Sequence, residues 1–260
     1  MLLTRDVQRP GLVCITLSNP AKFNAMSRAM WRELRSAFET IQADGSARCV
    51  VVQGDGAHFC AGGDISEYAA FRFQENTLRD FHETEVWGAL QAMQECDVPV
   101  IAKVDGNCMG AGVEIASCCD VRVASASARF GAPIARLGFP MAPREAALVM
   151  GAVGELTARE MLLTAAILSA DVLLQRGFLN QVVEVAKLPS AVQALVNSTL
   201  TLAPRATRLN KQSFRALART GYAQAATYLV ANAYQYADTP EHREGVGAFV
   251  EKRTPQFESC

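Results

Sequence analysis

Glu114 closes the run Gly110-Ala111-Gly112-Val113-Glu114, and it is the residue in this chain best placed by its neighbours to do chemistry. A carboxyl there can take or give a proton. The small residues before it open a helix, whose first N–H groups have no internal partners and whose dipole is positive at that end. Gly and Ala side chains let an anionic oxygen come close to those groups. The run reads as an oxyanion site with an acid/base beside it. The plainer reading is structural, because a Glu in a first helical turn is favoured by the dipole alone and loop glycines are ordinary turn chemistry. The spacing is not the dinucleotide G-x-G-x-x-G, since Gly110 and Gly112 are followed by Ile115, and no Gly-Lys-Ser/Thr makes it a phosphate loop.

A second stretch repeats that logic. His58-Phe59-Cys60-Ala61-Gly62-Gly63-Asp64-Ile65-Ser66-Glu67 again runs from a strand through a glycine turn into a helix start. Asp64 and Glu67 stand at capping-box spacing, which gives them structural roles. Two such turns could each supply one backbone donor to a shared oxygen. Each donor aimed at developing negative charge is worth ~3 kcal/mol in the transition state.

The elements that must hold these turns are readable in outline. Leu12 to Leu17, Cys49 to Val52 and Val98 to Val104 are apolar and rich in β-branched residues, as buried strands are. Ser27 caps a helix whose Met30, Leu34, Phe38 and Ile41 recur at helical spacing. Thr157-Ala-Arg-Glu160 reads as a capping box starting a helix through Thr164, and Ser169 as the cap of another that Gly177 ends. Phe178 to Val185 reads as strand, with Pro189 a boundary. Beyond it the pattern is helical only: 191–202, 206–219, 222–236 and a last helix after Thr239-Pro240. The expected division is 1–189 as core and 190–260 as a helical appendage.

A chain of 260 residues, half of them apolar, can fill one large core. The net charge of −1 gives no reason to expect a nucleic-acid or anionic-membrane partner, and no run is long and apolar enough to span a bilayer. The N-terminus lacks the pattern of a signal peptide. The eight cysteines lie mostly in apolar runs without paired C-x-x-C spacing, so they read as reduced core residues of a cytoplasmic protein with no metal site.

At this level the chain resembles the crotonase, or enoyl-coenzyme A hydratase/isomerase, superfamily over nearly its whole length. Asn19-Pro-Ala-Lys-Phe-Asn24-Ala25-Met26 is similar to that family's N-terminal N-R-P-x-x-x-N-A-L, and Cys60-Ala-Gly-Gly-Asp64 to its A-G-x-D loop. Gly106 to Glu114 with Cys119-Asp120 resembles N-G-x-x-x-G-G-G-x-E followed by C-D. Phe130-Gly131-Ala-Pro133 resembles F-G-x-P, and Phe249-Val-Glu-Lys252-Arg253 a C-terminal F-x-E-K-R. Five weak motifs in the family's order make a strong one.

The resemblance implies an α/β (α+β) spiral of repeated ββα units with a helical trimerisation appendage, commonly paired into hexamers. It implies an acyl-CoA thioester as substrate, with coenzyme A part of that substrate and no separate cofactor. The N–H groups of Gly63 and Ala111 would bind the thioester carbonyl, and Glu114 would activate water. Coenzyme A would run along Ala61, Gly62, Asp64 and Ile65, near Lys22 and Gly110, while Phe249 and Lys252 would reach a coenzyme A held by another subunit.

One position departs from the family. Hydratases usually carry a second glutamate just after F-G-x-P, and here it is Ile134, which can neither donate nor accept a proton. Glu114 could serve both steps alone, Arg136 could enter the site, or the chain could catalyse a related step such as decarboxylation or hydrolysis. A weak or inactive thioester-binding homologue is the remaining alternative. Met26, Tyr68, Phe71, Phe73, Phe81 and Trp87 are the candidates for lining an apolar acyl pocket, although aromatics at helical spacing are more often core. His58 reads as a loop residue, and His82 and His242 have no partner at useful sequence spacing.

Overall fold

The computed structural model describes residues 1–6, 8–220, 240, 244, 248 and 251–257. Nine strands are found there: β1 Leu2–Arg5, β2 Leu12–Leu17, β3 Cys49–Gly54, β4 Val100–Val104, β5 Asn107–Met109, β6 Val121–Ser125, β7 Arg129–Gly131, β8 Ile167–Ser169 and β9 Gln181–Val183. The α-helices are α1 Arg28–Ala43, α2 Glu75–Asp80, α3 Trp87–Glu95, α4 Ala111–Ser117, α5 Pro143–Val153, α6 Glu155–Leu163, α7 Ala170–Gln175, α8 Leu188–Leu200 and α9 Pro204–Thr220. Six strands form one sheet in the order β1-β2-β3-β4-β6-β9, and β5-β7-β8 form a second. From β2 to β9 the large sheet is parallel, so every step needs a crossover. The crossovers make the repeat visible: β4, β5, α4 and then β6, β7, α5 each run through the large sheet, the small sheet and a helix.

The apolar strands are covered on both faces, which is why they read as continuous runs rather than alternating ones. Val50, Val52, Val100, Ala102 and Val104 face the main core with Trp31, Leu34 and Phe38 of α1 and Leu90 and Met93 of α3. Cys49, Val51, Ile101 and Val123 face the other way, onto Leu188, Val192 and Val196 of α8. Each fully buried side chain of this size contributes ~1.5–3 kcal/mol.

Ser27 caps α1 as its sequence position predicts, accepting from the Met30 N–H at 3.2 Å. Other boundaries differ. Thr157 does not begin a helix: α6 starts at Glu155, because Gly154 at φ 83° already breaks the chain after α5, and Thr157 is buried inside α6. The strand expected over 178–185 is reduced to Gln181–Val183. After Gly177, at φ 80°, the N–H groups of Phe178 and Leu179 both turn back to the Leu173 carbonyl. Pro189 lies in the first turn of α8 rather than before it, where a missing N–H costs nothing. The helix expected at 222–236, with Phe249 and His242, falls outside the described residues; of the one expected after Pro240, positions 240, 244 and 248 are described and are helical. No helix among the described residues is long and apolar enough to cross a membrane.

Candidate functional site

The two glycine turns lie side by side because their backbones are stitched together. The Cys60 N–H donates to the Asn107 carbonyl at 2.9 Å, and the Met109 N–H donates to the Cys60 carbonyl at 2.8 Å. On the other flank Met26 donates to Gly62 and receives from Asp64, both at 2.8 Å. Glycine is demanded at two points. A Cβ on Gly112 would stand 2.8 Å from the Cys60 carbonyl oxygen, and Gly110 combines φ 46° with a Cβ position 3.7 Å from the Gly62 Cα. Among the described residues, neither the Gly63 nor the Ala111 N–H donates to a backbone carbonyl. Among the described residues these two N–H groups are thus unpaired, on loops held side by side.

Glu114 sits in the first turn of α4, behind the Ala111 N–H. It is half-buried by exposed area, yet its carboxyl is enclosed by protein and accepts no hydrogen bond among the described residues. Desolvation, with the nearby charge of Glu145 adding to it, pushes the Glu114 carboxyl up to about 8. Such a group can hold a proton near neutrality and release it slightly above.

Glu145 was not legible as a partner. It lies in the first turn of α5, which packs against α4, and only 2% of it is exposed. His82 meets it, with Nδ1 3.1 Å from Glu145 Oε1, within hydrogen-bond distance. This corrects the reading of His82 as partnerless: the pair spans 63 residues of sequence. His82 belongs to a short π-helical stretch, Phe81–Val86, of a kind often found near functional sites. Tyr68, one of the expected lining candidates, stands beside this loop: a Cβ on Gly63 would lie 2.3 Å from its hydroxyl oxygen.

On the opposite flank Lys22 Nζ lies 2.7 Å from Asp64 Oδ2 and donates to Ser66 Oγ at 2.7 Å. Burial alone would raise Asp64, but the Lys22 and Ser66 hydrogen bonds hold it below the ordinary carboxylate value. The capping box expected here does not close. Asp64 caps the 3-10 helix Ile65–Ala70 by accepting from the Ser66 N–H, while Glu67 crosses to accept from the Arg28 N–H, the first of α1. Ala61 is tied by its N–H to the Phe23 carbonyl at 3.0 Å, and Ile65 offers an apolar side chain, 55% exposed, at the rim. Lys252 is exposed, in a turn at φ 55°.

Several candidates are not brought into the site. Arg136 is exposed and its nearest acceptor is the Ala165 carbonyl at 3.4 Å, so it does not fill the gap left at Ile134. His58 accepts from the Asn107 N–H at 3.1 Å, the loop role expected of it. Among the candidates for the acyl pocket, Met26, Phe71 and Phe81 are core, Tyr68 and Trp87 are half-buried, and Phe73 projects outward, 85% exposed.

Comparison with known proteins agrees along the whole chain. Residues 8–260 match the family described as enoyl-CoA hydratase/isomerase. The 2,3-dehydroadipyl-CoA hydratase of Escherichia coli is 31% identical over 250 residues, covering 95% of this chain and 94% of that one. The short-chain-enoyl-CoA hydratase of Clostridium acetobutylicum is 29% identical over 249 residues, with 95% and 94% covered. Among solved structures, an enoyl-CoA hydratase/carnitine racemase from Magnetospirillum magneticum superposes with a TM-score of 0.93 at 33% identity, over 99% of this chain and 95% of that one.

Proposed function

The chain belongs to the enoyl-CoA hydratase/isomerase family, and from that premise we propose that it hydrates a 2-enoyl-CoA thioester with Glu114 as its acid/base. The observation that carries this reading is Glu114 itself: an enclosed carboxyl, raised to about 8, that among the described residues accepts no hydrogen bond and lies near two unpaired backbone N–H groups. The thioester oxygen lies between the Gly63 and Ala111 donors. The ionised form of Glu114, about a tenth of the population at pH 7, takes a proton from water as the water oxygen adds to the β-carbon. The electron pair moves to the thioester oxygen, where the two donors hold the enolate. Glu114 then returns the proton to the α-carbon, a task that Ile134 cannot share. Glu145, fixed by His82, acts through Glu114 by keeping its proton affinity high.

Coenzyme A, as part of the substrate rather than a separate cofactor, lies along Ala61 to Ile65, with Gly110 beneath and the Lys22–Asp64 pair at the edge. The 190–260 region builds a trimer, or a dimer of trimers, in which Phe249 and Lys252 reach a neighbour's coenzyme A. Sedimentation equilibrium tests that part, and a monomer would refute it.

The reaction is tested by following loss of the conjugated-thioester absorbance of crotonyl-CoA with the wild type and Glu114→Gln. Turnover that vanishes in the variant while coenzyme A still binds is the expected result. No turnover by the wild type, with thioesters bound tightly, would overturn hydration and turn attention to decarboxylation, hydrolysis or a binding role.

A further inference from the structure

One arginine beside the site is held unlike the others around it. Arg28 places Nη2 2.6 Å from Glu85, and Arg144 places Nη1 3.1 Å from Glu83. Arg72 has no carboxylate, carbonyl or hydroxyl acceptor among the described residues. Its guanidinium carbon rests instead 4.4 Å from the centre of the Tyr68 ring and 3.6 Å from that of Phe139. Those two rings stand edge to face, 6.0 Å apart, and Arg72 is half-buried against them. Aromatic faces attract a cation but accept none of its five N–H donors in the plane of the fork. A desolvated guanidinium with its donors unspent is a receptor for a planar anion.

Its place says which part of a ligand it meets. The Tyr68 hydroxyl stands against Gly63, so Arg72 lies behind the ring that borders one oxyanion donor. Phe139 follows the 3-10 helix Pro133–Leu137, which carries Ile134, so the other ring comes from the side of the missing glutamate. The Lys22–Asp64 pair, assigned to coenzyme A, is a separate cluster whose lysine is already matched by a carboxylate. Burial also holds the Arg72 guanidinium below its ordinary value, as expected of a cation without an anionic partner.

We propose that Arg72, presented by the Tyr68 and Phe139 rings beside the thioester site, receives a carboxylate on the acyl group, so that the preferred substrate is a dicarboxylic acyl-CoA rather than a plain fatty one. This rests on the acyl-CoA reading above and deepens it. The other anion that a guanidinium fork receives is the tetrahedral phosphate of coenzyme A itself.

The test compares two six-carbon 2-enoyl-CoA thioesters, one ending in a carboxylate and one in a methyl group, with wild type, Arg72→Met and Arg72→Lys. The wild type is expected to favour the carboxylated substrate in kcat/KM by ~10–100-fold. Arg72→Met should bring that ratio near one, with Arg72→Lys between. A wild type that prefers the methyl-ended thioester, or an Arg72→Met that weakens both equally, would overturn the proposal. Weaker binding of free coenzyme A to Arg72→Met would assign the arginine to a phosphate and overturn it as well. If the wild type turns over neither thioester, the hydration reading has failed. Calorimetry with the saturated pair, adipyl-CoA and hexanoyl-CoA, then still decides whether Arg72 selects the carboxylate, and Arg72→Lys serves if the Met variant does not fold.

Discussion

Asp97 and Glu114 are both carboxyls that folding has taken out of water, and they have been treated in opposite ways. Asp97, between α3 and β4, accepts from Gln42 Nε2 at 3.0 Å, Gln212 Nε2 at 2.7 Å and Arg215 Nη2 at 2.7 Å. Burial would raise its carboxyl, but the hydrogen bonds from Gln212, Gln42 and Arg215 outweigh it and hold the group below its ordinary value. Glu114 receives no hydrogen bond among the described residues and feels the charge of Glu145, and it is pushed up to about 8. Burial alone does not make a carboxyl reactive. What separates the two is whether the fold supplied donors: it did so at Asp97, where α9 docks against the core, and among the described residues it did not at Glu114.

The sharpest way to break this contrast is Glu114→Gln. Turnover of crotonyl-CoA should fall by roughly 10²–10⁴-fold, while the fold gains. A carboxyl whose folded value lies above its unfolded one binds a proton more tightly when folded. Its ionisation therefore erodes stability as pH rises from about 4.5 towards about 8. In paired denaturant titrations the variant should be about 5 kcal/mol more stable than wild type at pH 8.5, and show no gain at pH 4.5. Equal stability at both values would deny that Glu114 is strained by burial.

Asp97→Ala should do the reverse, costing ~2–3 kcal/mol with kcat per folded molecule preserved. The Asp97 contribution is present above its unfolded value near 3.8 and is lost as pH falls through the lowered folded one, so the two carboxyls act in different pH windows. A large loss of kcat in this variant would mean that the Asp97 cluster is not merely structural. The smallest effect is that of Glu145→Gln. Removing its charge should move the Glu114-dependent limb of the kcat/KM pH profile to lower pH, with the size of the plateau little changed. An unmoved limb would leave Glu114 raised by desolvation alone.

Much of the scaffold was legible because its signals are local. Ser27 and the helical spacing of Met30, Leu34, Phe38 and Ile41 specify α1, and β-branched runs specify β2, β3 and β4. The glycine turns were legible too, since the backbone contact at Gly112 admits no other side chain. The strands of the second sheet were not, being three residues each, too short for any alternation to register. Glu145 reads in sequence as an ordinary first-turn glutamate, and His82 as a stray polar residue. Only the packing of α5 on α4 brings the pair to Glu114, and no spacing rule reaches across 63 residues. Arg72 was hidden for the same reason: what marks it is the lack of a hydrogen-bond acceptor among the described residues, which a sequence does not record.

The cysteines around the turns bear on something other than packing. A thiolate is the natural attacker of a thioester, and an enzyme that handles acyl-CoA with Cys60 and Cys108 in its two site-forming loops is exposed to acylating itself. Burial pushes the Cys60 thiol up to about 12 and the Cys108 thiol well above its ordinary value. Both remain protonated and poorly nucleophilic at any physiological pH. On the proposed placement of the thioester, the same dry backbone seam that brings the loops together makes these sulfurs inert toward it, so that small, well-packing thiols sit beside a reactive ester without being consumed by it.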